Sequence, residues 1–248
     1  MAYGMYISAE GALAQSVRLE TISNNLANVD TVGFKRDLAQ FQARYAEAIQ
    51  QGAVAAEAGT INDVGGGVEV LSTITDYSPG PMKNTGQPTD MAIRGRGFFV
   101  IDRNGEQMLT RNGAFQITAQ GLLTTQDGDA VMSEGGTPVV ITGPFQFGED
   151  GSILSPEGLQ RLALVEPESL GDLAKTGENM FQSLAPPRAL DPALRSVTNG
   201  MLEGSGTNAV REMVDMIETS RAYEANVNMI RHHDQMFGTL ISRVLRVG

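Results

Sequence analysis

Apolar side chains recur at alternating steps of three and four residues near both ends of the chain, which is the spacing of a helix that buries one stripe. The N-terminal stripe begins at Met5 and reaches Val29, with apolar residues at six of its eight positions. The C-terminal stripe runs from Ala209 to Val244 and is broken at two polar positions. Each end of the chain is therefore predicted to form a long amphipathic helix.

Local signals indicate where these helices begin and end. Gly33 is expected to stop the N-terminal helix within residues 1–35, and a turn follows. Asn208 can cap the C-terminal helix, which carries Glu212 in its first turn. A helix from Asn208 to Val244 is roughly 50 Å long, which is too long for its stripe to be buried on a small β-domain alone.

We therefore expect the two terminal helices to pair and to leave further apolar positions for neighbouring molecules. Association of these stripes is the interaction that a monomer cannot complete by itself. The residues predicted to make the contacts, here called the assembly seam, are Leu19, Ile22, Leu26, Val29, Met213, Met216, Ile217, Tyr223, Val227, Ile230, Phe237 and Ile241.

The period changes between the two ends. Residues 37–51 favour a second short helix or an extended arm, and residues 52–67 have the small side chains and glycines of a loop. Residues 68–75, VEVLSTIT, alternate and are β-branched, which predicts a strand. Pro79-Gly80-Pro81 then indicates a boundary.

Short apolar runs separated by turn dipeptides fill residues 82–204, as in an all-β domain. The predicted fold class is α+β, with N- and C-terminal helices paired as a coiled coil and an all-β domain in the middle. The predicted domains are residues 1–35 with 205–248 for assembly, an arm with one strand at 36–81, and a β-rich outer domain at 82–204.

The charge distribution limits the partners. The chain has 248 residues and a net charge of −11. Both ends are near neutral, so residues 36–208 carry almost all of the negative charge. A nucleic-acid surface is not expected because phosphate binding needs clustered Lys and Arg. Near-neutral helices can lie beside copies of themselves without strong repulsion.

Compartment signals are few. The chain has no cysteine, so neither a disulfide nor thiol chemistry is expected. The first basic residue is Arg18 and no uninterrupted apolar segment precedes it, so a cleaved signal peptide is not expected. No apolar run approaches the roughly 20 residues of a membrane-spanning helix. If the protein leaves the cytoplasm, we expect a route that does not cleave a signal peptide.

Metal and catalytic motifs are weak. His232 and His233 precede Asp234, but adjacent helical residues point about 100° apart, so a solvated helix face is expected rather than a metal site. Asp127-Gly128-Asp129 lacks the later ligands of a calcium loop and is predicted to be a β-turn. No local motif suggests a catalytic triad. We therefore expect no catalytic residue and no metal site.

Cofactor and anion signals are equally weak. Gly95-Arg96-Gly97 lacks the further glycine and the helix of a dinucleotide fingerprint, so no cofactor is expected. The chain has one loose basic group, and solvated strand ends are a better explanation for it than a specific acidic contact. Its members are Arg94, Arg96, Arg103 and Arg111.

Four blocks of sequence, Ile22–Lys35, Asp90–Val100, Thr110–Phe115 and Met213–Glu224, lie in order across the whole chain. They resemble the bacterial flagellar basal-body rod and hook protein family. The N-terminal block is Ile22–Lys35, ISNNLANVDTVGFK, and the central block is Asp90–Val100, DMAIRGRGFFV. Thr110–Phe115 and Met213–Glu224 resemble the segment that follows it and the C-terminal motif. The family-motif residues are Asn24, Asn25, Leu26, Ala27, Asn28, Gly33, Phe34, Gly95, Gly97, Phe98, Phe99, Arg221, Tyr223 and Glu224.

Within that family, the pattern in Asp150–Ile153, Leu162–Val165 and Lys175–Phe181 is similar to proximal-rod members. Distal-rod and hook-type members are the alternative. The chain departs from the family pattern at Gly206–Ala209 and at Ser220, and again at Pro79-Gly80-Pro81. These departures leave the resemblance to the family intact, but they leave open which member of the family the chain resembles.

The resemblance implies a structural subunit of the axial shaft that transmits torque, and not an enzyme. Its helices would form an antiparallel coiled coil lining a tube, with the β-domain outside. The implied partners are copies of itself, other rod and hook proteins and the flagellar type III export apparatus, without nucleic acid or membrane insertion. The implied location is the basal body, across the periplasm, after export without a cleaved signal peptide.

Two other functional classes remain open from the residues alone. One is an extracellular β-rich binding module, and the other is a hydrolase acting on peptidoglycan. Deleting residues 1–30 would separate the classes, because a binding module or an enzyme would keep its activity whereas a rod subunit would lose assembly.

Overall fold

The computed structural model describes residues 2–45, 49, 51, 52, 55, 65–156 and 158–245. Helix α1 spans Ala2–Ala27 and helix α2 spans Ala209–Leu245. None of the described helices is long and apolar enough to cross a membrane. The chain forms two compact units, one of Met1–Ala27, Asp37–Asp76 and Asn208–Gly248, the other of Asn28–Arg36 and Tyr77–Thr207.

In the first unit, α1 and α2 pack on each other. Gly4 lies beside His233 and Gly11 beside Asn226. Seven residues forward in α1 thus correspond to seven residues back in α2, so the helices are antiparallel and keep their register. The predicted α+β class, with terminal helices flanking a β-rich middle, is confirmed.

The helix boundaries differ from the prediction at one end. Asn208 caps α2 as predicted, since its Oδ1 accepts a hydrogen bond from the backbone N of Arg211 at 3.1 Å. Helix α1 ends at Ala27 and not at Gly33. The backbone N–H of Thr31 donates to the carbonyl of Asn28, and the Thr31 hydroxyl donates to Asn28 Oδ1. This local bonding competes with continued helix and turns the chain.

Two strands complete the first unit. Strand β1 is Arg36–Ala43, β2 is Val68–Asp76, and they pair with each other. The strand predicted at 68–75 is confirmed. The alternative of a second helix within 37–51 is wrong for its first seven residues, which are extended, and the predicted arm holds two strands instead of one. Most of the predicted loop at 52–67 lies outside the described residues.

The second unit is built from short strands and their turns. The strands are β3 Met82–Asn84, β4 Met91–Ile93, β5 Phe98–Arg103, β6 Glu106–Thr110, β7 Phe115–Ile117, β8 Leu123–Thr125, β9 Ala130–Val131, β10 Gln146–Phe147, β11 Ser152–Ser155, β12 Gly158–Arg161, β13 Leu164–Glu166, β14 Leu173–Gly177, β15 Met180–Ser183, β16 Arg188–Ala189, β17 Val197–Asn199 and β18 Met201–Glu203.

The largest sheet has the strand order β14-β15-β6-β5-β9-β8-β7, and β13 joins it beside β5 and also pairs with β16. Strands β10, β11 and β12 form a separate meander, β17 pairs with β4, and β18 pairs with β3. These registered pairs are all antiparallel. The chain therefore enters this unit through β3 and β4 and leaves it through β17 and β18, which lie beside them.

Strand β5 is covered on both faces. Phe99 and Ile101 pack in the main core with residues such as Phe115. Phe98 and Val100 point to the opposite face and pack with a second cluster that includes Phe181. Burial on both faces explains why β5 has a continuous apolar run and not an alternating one.

The turn dipeptides had different outcomes. Asn104-Gly105 closes the β5–β6 hairpin with φ angles of 56° and 88°, as a type I′ turn requires. Asn112-Gly113, which also has a hairpin sequence, does not close one, because β6 and β7 do not pair. Its glycine instead accepts a hydrogen bond from Met91 N at 3.0 Å.

Candidate assembly surface and the buried family-motif residues

Asn25 connects the end of α1 to strand β1. Its side chain is 1% exposed. Its Nδ2 donates to the carbonyl of Asp37 at 2.8 Å, and its Oδ1 accepts from the backbone N of Asp37 at 2.9 Å. The carboxylate of Asp37 in turn accepts a hydrogen bond from Thr75 of β2. One amide side chain therefore satisfies both backbone groups of a strand residue, because it presents a donor and an acceptor on separate atoms.

We expect Asn25→Asp to loosen this connection. A carboxylate cannot donate to the Asp37 carbonyl, and a buried group that lacks its partner costs about 1–3 kcal/mol. Hydrogen exchange at the Asp37 amide should accelerate by about 30-fold, the equivalent of about 2 kcal/mol. The matched control is Asn24→Asp, one residue earlier and exposed, which should leave that amide unchanged. Equal exchange rates in the two variants would contradict the assigned role.

A buried ionic cluster, here called the Glu203 cluster, lies in the second unit and consists of Lys35, Arg111 and Glu203. Lys35 Nζ lies 2.7 Å from Glu203 Oε1, and Arg111 Nη1 lies 3.2 Å from Glu203 Oε2. The Lys35 and Glu203 side chains are each 1% exposed. Burial lowers the pKa of the Arg111 guanidinium below its ordinary value, while Glu203 acts in the opposite direction.

Backbone groups complete this cluster. Lys35 Nζ donates to the carbonyl of Ser78, and the backbone N of Gly80 donates to Glu203 Oε1 at 2.9 Å. Arg111 Nη2 donates to the carbonyl of Gly95 at 2.7 Å. The cluster therefore joins the family-motif blocks that contain Lys35, Gly95 and Arg111 to the last strand of the unit.

Gly33 and Phe34 hold the segment before Lys35 in place. Gly33 has a φ of +68°, and a Cβ there would lie 2.6 Å from the backbone carbon of Arg111, so both conformation and space require glycine. Its N–H donates to the carbonyl of Glu203 at 2.8 Å. The Phe34 ring is buried, and Lys175 Nζ lies 4.2 Å from its centroid.

The central motif has a structural role. Gly97 has a φ of +107°, and a Cβ would approach Leu190 Cδ2 to 3.1 Å. Phe98 and Phe99 are buried on opposite faces of β5, and Arg111 lies over the Phe98 ring at 5.1 Å. The second half of the central motif therefore packs the core and lies against Arg111 of the Glu203 cluster. Its aromatic rings are buried and are not available to a ligand.

Small and polar side chains occur where α1 and α2 approach each other closely. The pairs that set the register join Gly4 to His233 and Gly11 to Asn226. Thr219, seven residues before Asn226, is buried and donates its hydroxyl within its own helix. The two glycines allow close approach, and the buried Ile22 and the half-buried Met216, Val227 and Phe237 show that apolar side chains of both helices are covered as well.

The outer surface of the helices carries many exposed apolar side chains beside its charged ones. On α1, Tyr6 and Leu13 are exposed, and on α2 the exposed apolar side chains lie in two groups. Their exposed fractions run from 44% to 68% for Tyr6, Leu13, Val210, Met213, Val214, Ile217, Met229, Met236, Leu240 and Ile241. Exposed apolar side chains that lie next to one another on a helix are typical of a surface that another protein covers.

The assembly seam is divided by this arrangement. Met213, Ile217, Tyr223 and Ile241 are exposed and available to a neighbour. Leu19, Leu26, Met216, Val227, Ile230 and Phe237 are half-buried. Ile22 is only 5% exposed and packs within its own unit, and Val29 lies beyond the end of α1. The two residues therefore do not lie on an outward helical stripe, and the assembly seam as a whole stays a prediction.

The C-terminal motif faces outward. Arg221, Tyr223 and Glu224 are exposed in the middle of α2. Among the N-terminal motif residues, Asn24 and Ala27 are exposed, and Leu26 and Asn28 are half-buried. Gly95 is exposed at the turn before β5. The family-motif residues thus divide into a buried set that fixes backbone segments and an exposed set on the helices.

The basic group and the histidines are not one site. Arg94 and Arg96 are exposed as expected, but the solvated prediction is wrong for Arg111, which is buried. Arg103 binds Asp129 and Glu178, whose hydrogen bonds raise its pKa. His232 is exposed, whereas His233 is half-buried beside Gly4. Across the described part of the chain, no group of three potential metal ligands is found.

Sequence reasoning missed the pairing of Lys35 with Glu203. The two residues lie 168 positions apart, and each looks locally like an ordinary charged residue at a strand end. A long-range ion pair leaves no periodic signal. A weak local signal does exist. Lys35 begins the charged run of residues 35–37, and it directly follows two residues that are buried in the structure.

An α+β chain whose paired terminal helices expose many apolar side chains belongs to the class of proteins whose helices are covered by association. Comparison with known proteins identifies the family within this class. Residues 5–35 match the profile “Flagella basal body rod protein”, residues 92–155 match “Flagellar hook protein FlgE/F/G D1 domain”, and residues 198–243 match “Flagellar basal body rod FlgEFG protein C-terminal”.

Full-length relatives agree. The flagellar basal-body rod protein FlgG of Buchnera aphidicola subsp. Schizaphis graminum is 33% identical over 95% of this chain and 97% of its own length. The rod protein FlgF of Caulobacter vibrioides is 29% identical over 98% of both chains, and FlgF of Rhizobium meliloti is 31% identical over 93% of both. The chain belongs to the flagellar basal-body rod protein family, which confirms the resemblance of the four sequence blocks.

Proposed function

We propose that this chain is a structural subunit of the flagellar basal-body rod, which polymerises into the axial shaft and transmits torque. The observation that carries the proposal is the set of exposed apolar side chains on the terminal helices of a chain that belongs to the rod protein family. Such side chains gain stability only when neighbouring subunits cover them. The function is structural and not enzymatic.

The finer assignment concerns the section of the rod. FlgF and FlgG relatives match the chain at similar identity. We infer a proximal-rod subunit from the mid-region pattern, in which Lys175 donates to the carbonyl of Lys35 and Phe181 is fully buried in the core. Its partners would be copies of itself and other axial proteins. Export would use the flagellar type III apparatus, and the assembled subunit would lie in the periplasm.

The division of labour within the subunit follows the two units. The terminal helices would form the assembly domain, and the β-rich unit would face outward. The predicted boundaries at 35, 81 and 204 stay a proposal. The contacts group Asn28–Arg36 with the β-rich unit, because Gly33 and Phe34 bond to its last strand and to the segment after it.

Purified basal bodies test the function directly. A chain carrying an epitope tag in the exposed turn at Asn104-Gly105 should restore motility to a deletion strain and remain with the basal body after detergent extraction. For a proximal subunit, gold label against the tag should lie in the half of the rod nearest the cytoplasm. A tagged chain that supports motility but stays soluble, with no label on basal bodies, would overturn the proposal. Label confined to the outer half would reassign it to the distal section.

A further inference from the structure

The chain passes between its two units four times. The crossings join Ala27 to Asn28, Arg36 to Asp37, Asp76 to Tyr77 and Thr207 to Asn208. Any force that the covalent chain carries from one unit to the other passes through these crossings. On the side of the second unit, three short segments, here called the clamp segments, lie at or near every crossing. They are residues 33–36, 78–81 and 203–206.

Backbone hydrogen bonds connect the third clamp segment to the other two. The N–H of Gly33 donates to the carbonyl of Glu203 at 2.8 Å, and the N–H of Gly204 donates to the carbonyl of Pro81 at 2.8 Å. A Cβ on Gly80 would overlap the carbonyl oxygen of Gly204, so the backbones themselves are in contact there. When one segment is pulled away, such bonds can break one after another, so they resist force weakly by themselves.

The Glu203 side chain adds a connection that joins all three clamp segments. Its Oε1 accepts hydrogen bonds from Lys35 Nζ at 2.7 Å and from the backbone N of Gly80 at 2.9 Å. Lys35 Nζ also donates to the carbonyl of Ser78 at 2.9 Å. The three segments are therefore bonded in each pairwise combination around one carboxylate, whose Oε2 is held by Arg111 Nη1 at 3.2 Å.

Charge and burial make these contacts resistant. The side chains of Lys35 and Glu203 are each 1% exposed, so water cannot replace either partner while the contact is stretched. Hydrogen bonds of charged groups are roughly twice as strong as those between neutral groups. Separating any one clamp segment from the other two breaks two contacts of Lys35 or Glu203 at once.

We propose that the Glu203 cluster is a mechanical clamp, which fastens the clamp segments to one another so that they share the force carried by the chain between the two units. This role rests on the proposed function, because a subunit that transmits torque is loaded at these crossings. Stability alone does not require a buried ionic cluster, since packed apolar residues of similar volume often stabilise as well. Directional bonds, however, fix the positions of three segments in a way that an apolar contact does not.

Single-molecule pulling tests the clamp, because the chain contains no cysteine and attachment points can be placed freely. Glu218→Cys on α2 with Glu106→Cys on β6, both exposed positions, directs the force through the crossing at Thr207. Glu106→Cys with Glu168→Cys, also exposed, keeps the force within the second unit. The measured quantity is the lifetime of the folded second unit under constant force.

The matched control is a core substitution at Ile153, to Ala or Val, whichever lowers the melting temperature as much as Glu203→Gln. Ile153 is fully buried in the main core and is not part of the Glu203 cluster. With the force through the crossing, Glu203→Gln should shorten the lifetime about tenfold more than the control, the effect of losing one hydrogen bond between charged groups. With the force kept within the second unit, the two variants should have equal lifetimes.

A second variant covers the case in which Glu203→Gln does not fold. Lys35→Met removes the bonds to Ser78 and Glu203 but leaves Glu203 with Arg111 and the backbone N of Gly80. It should shorten the lifetime in the same direction of pulling, against an Ile153 control of equal melting temperature. Lifetimes equal to those of the control in both directions would overturn the clamp. The rod function would still stand, because this measurement uses the purified monomer.

Cells provide the complementary test. A strain whose chain carries Lys35→Met should swim normally in dilute medium and lose motility in viscous medium, where the torque is higher. An equal loss in the strain with the Ile153 control would also overturn the clamp. Absence of the unaltered chain from basal bodies would instead overturn the proposed function, whatever the pulling measurements give.

Discussion

Glu203→Gln is expected to destabilise the β-rich unit by about 3 kcal/mol, because it leaves Lys35 and Arg111 buried beside a neutral amide. The amide oxygen can still accept from Lys35 Nζ or Gly80 N, but the amide nitrogen would face the Arg111 guanidinium, donor against donor. For a unit of this size the melting temperature should fall by about 10 °C. Calorimetry of the purified monomer measures this change.

The matched control is Glu134→Gln. Glu134 also binds an arginine, Arg195, at 3.0 Å, and that contact lowers the pKa of its carboxyl group. Its side chain is 46% exposed, however, so water replaces the lost partner and the loss should stay below about 1 kcal/mol. If both substitutions changed the melting temperature equally, burial would not be what makes the Glu203 cluster important.

The terminal helices and the strands could be predicted because each depends on a local pattern. The spacing of apolar residues by three and four positions predicted α1 and α2, and Asn208 predicted the start of α2. The repeated turn dipeptides located the β-rich region. The end of α1 was misplaced because Asn28 and Thr31 bond to each other, and side-chain bonding of this kind is not visible in apolar periodicity.

The direction in which each helical residue points was harder to predict. Periodicity identifies an apolar stripe but does not say whether the stripe faces the partner helix or the outside. In α2 the polar residues Thr219 and Asn226 lie toward the inside, while Ile217 is exposed. Gly4 and Gly11 of α1 mark the side of α2 that faces the partner helix, since they let the helices approach closely at His233 and Asn226. Their role depends on the register between the ends of the chain, which no local signal specifies.

Ile217→Asp should leave the monomer folded and abolish incorporation into the rod. Ile217 is 54% exposed in the isolated chain, so an aspartate there remains hydrated, and the change in helix propensity is only a few tenths of a kcal/mol. In an assembly that covers this position, the same carboxylate would be buried without a partner, at a cost of several kcal/mol for every subunit contact. Swimming in soft agar and recovery of the chain from basal bodies measure the effect.

Asn228→Asp is the matched control because it adds the same charge to an exposed polar position of the same helix. It should leave motility near normal, so that added negative charge alone cannot explain the loss. Thermal unfolding of both purified monomers should match that of the unaltered chain within about 1 kcal/mol, as expected for surface substitutions. Normal motility in Ile217→Asp would show that this face of α2 stays in water after assembly, and the exposed apolar side chains would then need another explanation.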